Sequence, residues 1–566
     1  MIFLPVPIRS VRLLLVVLGG TLFPYMLPAQ DVVTPDAGSI LQQIQPVTPP
    51  SPTSGTTGLT IKQQGGTDLP PGQAFEVRTI RITGQQLFDA TTLHALIADG
   101  EGKILTLTQL DELTARISDF YRQHGYPLAR AIIPAQTITG GVVNFEIIEA
   151  RYDTISLDNS SRVKNSLLQA TLSPLQSGQT IYQAPLDHAL LLLSDIPGVI
   201  VAATLMPGDL VGTSKLQVNT NTGPMLSGLI ATDNYGNRYT GRERLSGTLN
   251  LINPLHHGDV LSVNGLTSGK ALYYWRIAYE SLLNGRGTRL GGAYSALDYT
   301  LGDTLKPLDA NGTAQVESLW AKHPLVRRRD LNVYGHIQYD RMQLRDHIDV
   351  AAIQNDRTLA NGTVSVIGDA RDTFLSSGAV SAWNMSWTTG RVAFDDMLAR
   401  QTDAATADTQ GRFSRWNATI ARLQTLTSLD GLYLAFSGQW ANENLDTSQK
   451  MTAGGPYTVR AYDMGVLSGD SGYLGTIELR HELGLDWFGV WQLLGFIDSQ
   501  HVTINHTPWF SADNSARLSG AGVGLNWTGP HDLSARTYIA RPIGPTPSQV
   551  ESKRSTRAWL EVSMRF

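Results

Sequence analysis

The chain has 566 residues, only 16% of them charged, and a formal net charge of −5. This negative balance gives no reason to expect a nucleic-acid partner. Because the chain contains no cysteine, it can form neither a disulfide framework nor a thiolate metal site.

The first 29 residues have the pattern of a secretory signal peptide. Arg9 and Arg12 flank the start of the apolar run 13–18, and Ala29 closes a short cleavage-site sequence. Glycine and proline interrupt the apolar run before about 20 residues accumulate, which disfavours a membrane-anchor helix. We therefore expect residues 1–29 to direct export.

A short amphipathic helix and a linker are predicted next. In residues 30–45, Thr34 suits the N-cap and Pro35 the first helical position. The apolar residues of this helix share one face: Ala37, Ile40, Leu41 and Ile44. Because so short a helix is marginal alone, it must dock elsewhere in the protein or remain disordered. Residues 46–72 are rich in Pro, Ser, Thr and Gly, which predicts an extended, mobile linker.

Two consecutive segments, 73–150 and 151–222, predict the same order of elements, βααββ. In the first, the strands are 75–82, 129–133 and 141–149, and the helices are 91–98 and 107–124. In the second, the strands are 153–157, 199–206 and 213–220, and the helices are 163–170 and 182–195. Two units of about 70 residues with one topology indicate an internal repeat. Their sheets leave edges that can accept an extended peptide as an added strand.

From residue 223 to residue 566 helical periodicity disappears, and alternating segments of about 8 to 14 residues recur between turns. About 16 such segments predict an outer-membrane β-barrel, with a soluble β-sandwich as the alternative. The C-terminal segment 558–566 favours the barrel, because its alternate positions are apolar and Phe566 ends it. Such a strand suits a lipid-facing stripe that ends in an aromatic girdle, and an even strand number closes a barrel without exposed edges.

Three short motifs that could carry chemistry are better explained by turns. Residues 469–472, Gly-Asp-Ser-Gly, lack the further glycine of a serine-protease nucleophile box. His256 and His257 are adjacent, so in a strand their side chains would point to opposite faces. Residues 309–312 start like a calcium loop but lack its final acidic residue. Since there is no phosphate-binding loop either, we expect no enzymatic activity, no cofactor and no metal.

One pair of charges needs a different explanation. Arg460 lies in the Gly-rich region as part of Val459-Arg460-Ala461-Tyr462, and Asp498 follows the apolar strand segment that contains Phe496. A lone charge among small, apolar or aromatic neighbours needs a partner. We hypothesise that the loop folds inward and pairs Arg460 with Asp498. The alternative is an exposed loop and an aspartate that faces a wet lumen, with no contact between them.

The whole mature chain resembles the outer-membrane transporters of two-partner secretion, the haemolysin activation/secretion group of the Omp85 superfamily. Residues 253–262 are similar to that family's first-hairpin turn NPLGxGDxL, residues 459–462 to its VRGY/F element, and residues 496–498 to the start of its FxDxG motif. Two residues depart from the pattern, because Ala461 and Gln500 stand where these motifs have glycine. Both departures leave Arg460 and Asp498 unchanged, so we expect their pairing to survive, and the departures bear only on the close backbone approach at residues 461 and 500.

This resemblance implies a mixed fold: two periplasmic βααββ POTRA-like domains, then a 16-stranded antiparallel transmembrane β-barrel with an N-terminal plug helix. The sixth extracellular loop would dip into the lumen, where Arg460 and Asp498 form a structural lock. Trp559 and Phe566 would belong to a C-terminal signal for the barrel-assembly machinery.

The resemblance also implies the partners and the location. The partners would be a secreted haemolysin- or adhesin-like β-helical exoprotein and the lipids of the bacterial outer membrane, with the POTRA domains in the periplasm. A barrel-assembly insertase of the same superfamily is the alternative function. A passive porin or adhesin would leave the periplasmic repeat unexplained.

Overall fold

The computed structural model describes residues 34–44, 58–61, 74–375, 377–484, 488–550 and 555–566. The expected signal peptide 1–29 and most of the expected linker 46–72 lie outside the described residues. Residues 36–566 form one compact unit. None of the helices within the described ranges is long and apolar enough to cross a membrane.

The first described elements are helix α1 (Ala37–Ile44) and strand β1 (Leu59–Ile61). Asp36 caps α1, and the prediction of Thr34 as its N-cap is wrong. The Asp36 carboxylate accepts from Ser39 N–H at 2.9 Å, and the Ser39 hydroxyl accepts from Asp36 N–H at 2.9 Å. This reciprocal pair satisfies two backbone donors that a helix start otherwise leaves unbonded.

Residues 75–148 form the first small unit. Its elements are β2 (Phe75–Val77), β3 (Thr79–Thr83), α2 (Ala90–Ala95), β4 (Lys103–Leu105), α3 (Leu107–Gln123), β5 (Arg130–Ile132) and β6 (Val142–Ile148). β6 lies between β3 and β5, and β2 pairs separately with β4. The single strand predicted at 75–82 is wrong, because the chain breaks at Arg78 and the unpredicted β4 pairs with β2. Gly102 allows the chain to reverse before β4, since its φ of 75° suits glycine.

Residues 151–222 form the second small unit, with the predicted order βααββ. Its elements are β7 (Arg151–Ser160), α4 (Asn165–Leu172), α5 (Gln183–Ser194), β8 (Val199–Pro207) and β9 (Thr213–Thr222). The sheet order is β1-β8-β9-β7, and β1 pairs in parallel with β8. This corrects the expectation of a mobile linker at 59–61, because these residues are held as the edge strand of the sheet.

The remaining chain forms the barrel. Its elements are β10 (Leu226–Asp233), β11 (Arg244–Ile252), β12 (Val260–Thr267), β13 (Leu272–Leu282), β14 (Arg289–Thr300), β15 (Ala310–Arg327), β16 (Leu331–Ile348), β17 (Ile353–Asp372), β18 (Ala379–Phe394), α6 (Met397–Ala405), β19 (Gly411–Thr425), β20 (Asp430–Ala441), β21 (Met451–Ala453), β22 (Leu467–Gly469), β23 (Ser471–Glu482), β24 (Val490–Thr503), β25 (Ser515–Thr528), β26 (Leu533–Pro542) and β27 (Arg557–Arg565).

Sixteen of these strands, counted over the described ranges, close into an antiparallel barrel, which confirms the predicted fold class. β21 and β22 stand apart as a small hairpin in the sixth extracellular loop. Some strands are longer than expected, and β17 has 20 residues. About 9 to 11 residues suffice to cross a bilayer, so the longest strands extend beyond it.

Side chains alternate between lipid and lumen along each barrel strand. In β13, Tyr273, Trp275 and Ile277 are exposed, whereas Tyr274 and Ala278 are buried. The lumenal side is not empty, because an apolar cluster packs the buried face of α1 against side chains of the wall. Members of this cluster include Ala37, Ile40, Leu41, Leu297, Tyr299, Leu344 and Leu359.

The second small unit is attached to the periplasmic rim of the barrel at several places, which include the start of β14, where Arg289 Nη2 donates to the Asp195 carbonyl at 2.6 Å. At the turn after β15, the Arg327 guanidinium donates to both carboxylate oxygens of Asp195, each at 2.7 Å. At the turn between β11 and β12, the His256 carbonyl accepts from Lys164 N–H at 3.1 Å. These contacts place the sheet of the unit at the entrance of the barrel.

The same β11–β12 turn accounts for the motif at 253–262. The buried Asp259 carboxylate accepts from the N–H groups of Leu255 (3.0 Å) and His257 (2.9 Å), which closes the turn. Asn253 and His256 adopt left-handed backbone conformations there, with φ of 58° and 64°. His256 and His257 thus lie in a turn, as predicted.

Candidate functional site

The sixth extracellular loop, residues 442–470 and called loop six below, folds back into the barrel lumen. Its base is held by the buried Asp470, which accepts from Lys450 Nζ at 2.8 Å and from Leu445 N–H at 3.1 Å. The prediction that residues 469–472 form a plain polar turn is wrong. Gly469 ends β22, Ser471 begins β23, and the aspartate between them is a buried structural group.

The structure brings Arg460 and Asp498 together. Arg460 Nε donates to Asp498 Oδ2 at 2.8 Å, and Nη2 donates to Oδ1 at 2.7 Å. The backbone N–H of Arg460 also donates to Oδ2, at 3.2 Å. Thr476 on β23 donates its hydroxyl proton to Oδ1 at 3.0 Å. The two-pronged guanidinium contact determines the orientation as well as the position of the loop tip.

A second carboxylate, Glu478 on β23, completes the site and was not found from the sequence. Its Oε1 accepts from Arg460 Nη1 at 2.7 Å. Its Oε2 accepts from Arg480 Nη2 at 2.7 Å. Two arginines and two carboxylates therefore form a neutral, fully interlinked set. The only signal in the sequence was the alternation of side chains along β23, which predicts that Glu478 faces the lumen. This alternation does not predict which lumenal residue contacts the loop.

Aromatic rings cover the guanidinium group. The Arg460 Cζ atom lies 3.4 Å from the centre of the Phe496 ring and 5.2 Å from that of Tyr538. A cation over an aromatic face is worth about 2 kcal/mol or more when both are desolvated. Burial by itself would lower the pKa of Arg460, but its contacts with Asp498 and Glu478 outweigh burial, so the pKa lies above its ordinary value.

Both departures from the family motifs have local explanations. Ala461 is buried and has no left-handed φ, so glycine is not required there. Room for its methyl group comes from Gly520 on β25, where an added Cβ would lie 2.4 Å from the Ala461 Cβ. Gln500 donates its side-chain N–H to the Thr452 carbonyl at 2.9 Å and thereby holds β21. Both residues are thus compatible with the pairing of Arg460 and Asp498.

The other predicted site residues lie in two places. Val459 and Tyr462 are buried beside Arg460, in the apolar cluster under loop six. Trp559 faces the lumen, and its indole N–H donates to the Arg460 carbonyl at 2.7 Å. Phe566 lies at the periplasmic end, half exposed, with its backbone paired to Gly228 in both directions.

A second set of lumenal charges holds α1. Arg357 on β17 is almost fully buried and contacts three carboxylates. It donates to Asp36 at 2.8 Å and to Asp346 at 2.7 Å, and it also bonds to Asp446. The Ala37 N–H donates to Asp346 at 2.7 Å. Asp36, which caps the helix, thus also attaches it to the barrel wall.

The far end of α1 makes polar contacts as well. The side-chain Oε1 of Gln43 accepts from the Asn237 side chain at 3.0 Å, and the Gln42 side chain donates to the Ser448 carbonyl in loop six. Gly38 lies so close to loop six that an added Cβ would be 2.6 Å from the Thr447 hydroxyl oxygen. The helix is therefore fitted between the wall and loop six.

These two sets of charges hold segments in place, and their chemistry is that of ion pairing. Among the residues that the structure describes, no group of three or more His, Asp or Glu side chains is arranged to hold a metal ion. Each of the three guanidinium nitrogens of Arg460, and each of those of Arg357, donates to a carboxylate. The arrangement suits retention and release of α1 and loop six.

Comparison with sequence families gives two matches. Residues 212–527 match the family described as haemolysin secretion/activation protein ShlB/FhaC/HecB. Residues 75–150 match the ShlB-type POTRA domain. The second small unit lies mostly between these two matched regions and has the order of elements predicted for such a domain.

Individual proteins match over nearly the whole chain. The heme/hemopexin transporter protein HuxB of Haemophilus influenzae is 26% identical over 542 residues, which cover 94% of this chain and 95% of that protein. The structure of CdiB from Escherichia coli superposes with a TM-score of 0.67 at 20% identity, covering 89% of this chain and 93% of that one. BamA from Haemophilus ducreyi without POTRA domains 1–3 has a TM-score of 0.54 at 14% identity, covering 87% of this chain and 100% of that one. Both structural likenesses are evidence of a shared fold.

Proposed function

The chain belongs to the haemolysin secretion/activation protein family ShlB/FhaC/HecB, and from this premise we propose that it captures one unfolded exoprotein in the periplasm and conducts it to the cell surface. It is an outer-membrane transporter of the two-partner secretion type with periplasmic POTRA domains. The proposed cargo is a haemolysin- or adhesin-like protein with β-helical repeats, whose folding outside the cell draws it outward. No catalytic step is part of this proposal.

The observation that carries the proposal is the filling of the closed barrel by two detachable segments. α1 and loop six occupy the lumen. Both are attached to the wall by side-chain contacts, and neither is paired with it as a barrel strand. Breaking these contacts frees the lumen without breaking the barrel. An unfolded exoprotein can pass through the barrel only when the lumen is cleared, because the filled lumen leaves no room for an extended chain.

Capture by strand addition is supported by the sheet of the second small unit. β1 adds to the edge of β8 through the register Leu59–Ala203 to Ile61–Leu205. The chain itself thus shows that this edge accepts an extended segment of three residues. Backbone hydrogen bonds give such binding little dependence on sequence, which suits an unfolded cargo. Cargo would compete with β1 for β8 or use the edge at β7, beyond Arg151 and Tyr152, which are bonded to residues 178–180.

The proposed division of labour follows the sequence. We assign residues 1–29 to a signal peptide, 30–45 to the plug helix, 46–72 to a tether that is anchored at β1, 73–150 and 151–222 to POTRA domains, and 223–566 to the barrel. Loop six, held by Arg460, Asp498 and Glu478, is the proposed lock of the conduit. Phe566 serves the barrel-assembly machinery, whereas the lumenal Trp559 has a further contact with loop six.

Deletion of the gene tests the proposed function. Cell-surface and secreted proteins are compared by mass spectrometry before and after deletion, with complementation by the wild-type gene as the control. We expect loss of a single large exoprotein and normal levels of other outer-membrane proteins. Loss of many outer-membrane barrels would instead identify an assembly insertase and overturn the proposal.

A further inference from the structure

The shortest strand pairing in the described barrel wall is that of the first strand, β10, with the last, β27. We call this junction the seam. Its ladder has five residue pairs and is continued at the periplasmic end by mutual backbone bonds between Gly228 and Phe566, whereas β10 and β11 pair over eight. At its extracellular end the Asn234 N–H donates to the Leu560 carbonyl at 3.1 Å, and the Asn234 side chain adds the last contacts, donating to the Ala558 carbonyl at 3.1 Å and accepting from Leu560 N–H at 2.9 Å. Beyond that level the seam depends on other contacts.

Loop six reaches both sides of the seam through Asp463. Its Oδ1 accepts from Nη1 of Arg242 at 2.7 Å, and Arg242 lies in the first extracellular loop, which continues β10. Its Oδ2 accepts from Nη2 of Arg557 at 2.8 Å, and Arg557 is the first residue of β27. One carboxylate therefore joins two guanidinium groups that stand on opposite sides of the seam. The Asp463 side chain is only 14% exposed, so solvent screens these pairs weakly.

Further contacts of loop six follow the same arrangement. On the β27 side, the Trp559 indole donates to the Arg460 carbonyl at 2.7 Å. On the β10 side, the Asn237 side chain donates to the Met464 carbonyl at 3.2 Å. Tyr235, two residues after β10, packs edge-on against Trp559 with ring centres 5.9 Å apart. Polar and aromatic contacts thus converge on the tip of loop six from both strands.

We propose that loop six is a clasp that holds the seam closed at its extracellular end, with Asp463 as the residue that joins the two sides. This role is distinct from the pairing of Arg460 with Asp498, which attaches the loop to β24, three strands before the end of the barrel. Without the Asp463 carboxylate, Arg242 and Arg557 lose their common partner and repel each other as like charges. Closure of the seam is therefore coupled to the position of loop six.

Hydrogen exchange of the full-length protein in lipid nanodiscs tests this proposal. For Asp463→Ala we expect amides of residues 229–233 and 561–565 to exchange about tenfold faster, because two charge-assisted pairs are lost. Amides of β16 to β19, on the far side of the barrel, should keep their wild-type rates. Trp559→Phe, which removes only the indole donor, should produce a smaller acceleration in the same segments.

A cross-link supplies the rescue. Ala231 and Ser563 are direct partners across the seam, and the chain has no cysteine of its own. The disulfide from Ala231→Cys and Ser563→Cys should restore slow exchange at the seam in the Asp463→Ala background, since the two strands can no longer separate. Failure of this disulfide to slow the exchange would contradict the proposal.

The matched control is Asp372→Asn. Asp372 also forms a paired contact with a guanidinium, accepting from Arg422 at 2.8 and 2.9 Å, but it lies near the periplasmic rim and away from the seam. This variant should leave exchange at the seam unchanged. Wild-type seam exchange in Asp463→Ala would overturn the proposal. Acceleration spread evenly over the barrel would also overturn it, because Asp463 would then act on general stability.

Discussion

At the scale of single residues, the site at the tip of loop six is a balanced set of charges. Asp498 accepts from three different groups of Arg460 and from Thr476. Glu478 shares Arg460 with it and takes Arg480 as its second partner. Because the set is neutral and satisfied, it can remain in a poorly solvated place. Loss of Arg460 leaves the Asp498 carboxylate without a cation.

Arg460→Ala tests this set directly. The variant leaves the buried Asp498 carboxylate without a cation, at a local cost of about 3–5 kcal/mol. We expect a barrel that still inserts but secretes much less exoprotein, measured by quantitative blotting of the culture medium and by heat-dependent gel mobility of the barrel.

Arg422→Ala is the matched control for this experiment. It removes an arginine from an ion pair near the periplasmic rim, with Asp372 as its partner, and we expect nearly normal secretion. Wild-type secretion by Arg460→Ala would contradict a functional role for the lock.

Gly520 allows a second test at the same scale. Gly520→Ala places a Cβ at 2.4 Å from the Cβ of Ala461, and overpacking of this kind typically costs about 1–3 kcal/mol. We expect loop six to be released at a lower temperature midpoint, which limited proteolysis at increasing temperatures measures. The double variant with Ala461→Gly removes the clash and should restore the midpoint. If the double variant is as unstable as Gly520→Ala, the close packing of residues 461 and 520 is not the cause.

At the scale of elements, α1 is held by an arrangement with surplus negative charge. Three carboxylates, from Asp36, Asp346 and Asp446, surround the single Arg357. Asp36 is the only one of them that leaves with the helix, and its departure still leaves Arg357 with two carboxylate partners. Arg357 on the barrel wall therefore keeps carboxylate partners, Asp346 and Asp446, whether or not α1 is bound. This makes the helix easier to release than an ordinary buried ion pair would.

Asp36→Asn should loosen the plug. The variant removes the charge that binds Arg357 while keeping an amide that can still cap the helix. We expect higher conductance of single channels in planar lipid bilayers, and deletion of residues 31–45 should set the upper limit.

Ser39→Ala separates capping from attachment. It removes the hydroxyl that accepts from Asp36 N–H but leaves the bond between Asp36 and Arg357. We expect conductance close to wild type from this control. Unchanged conductance on deletion of residues 31–45 would mean that α1 does not close the channel.

At the scale of the whole molecule, the second POTRA domain and the barrel are joined as one unit. Arg327 is fully buried where it binds Asp195. Arg329 in the same turn binds Asp187 on α5 at 2.6 Å. Together with the turn between β11 and β12 and with Arg289 at the start of β14, these contacts hold the domain at several points on the rim. In the proposed mechanism, cargo that binds to its sheet would be held close to the barrel.

Arg327→Ala should weaken the attachment of the domain at one of these points, where Arg329 and Asp187 remain paired. Spin labels at Ser177→Cys in the domain and Ser428→Cys in the β19–β20 turn report the distance between them, and the chain has no other cysteine. We expect a broader distance distribution in the variant, because the contacts that remain lack the buried two-pronged ion pair that fixes the orientation of the domain.

Arg328→Ala is the matched control for this distance measurement. Arg328 lies beside Arg327 in the same turn but pairs with Asp330 of that turn, and so does not reach the domain. A distribution as narrow as that of the wild type in Arg327→Ala would show that Asp195 and Arg327 do not fix the orientation.

Local patterns in the chain determined the class of fold. Alternation of apolar and polar residues has a period of two, which matches the period of a strand and therefore reveals both the strands and their lipid-facing side. Helical periodicity likewise revealed α3, α5 and the buried face of α1. Very short strands were not predicted, because a strand of three residues, such as β1 or β4, is too short to show a pattern of alternation.

Only the tertiary structure decided which lumenal residues meet. Arg460 contacts Asp498, Glu478 and Trp559, which lie 38, 18 and 99 positions away along the chain. A shared motif pointed to the first of these contacts. The other two depend on strand order and register around a closed barrel, together with the path of one folded loop. Local periodicity carries no information on those quantities, since it specifies the face of each strand but not its neighbour across the lumen.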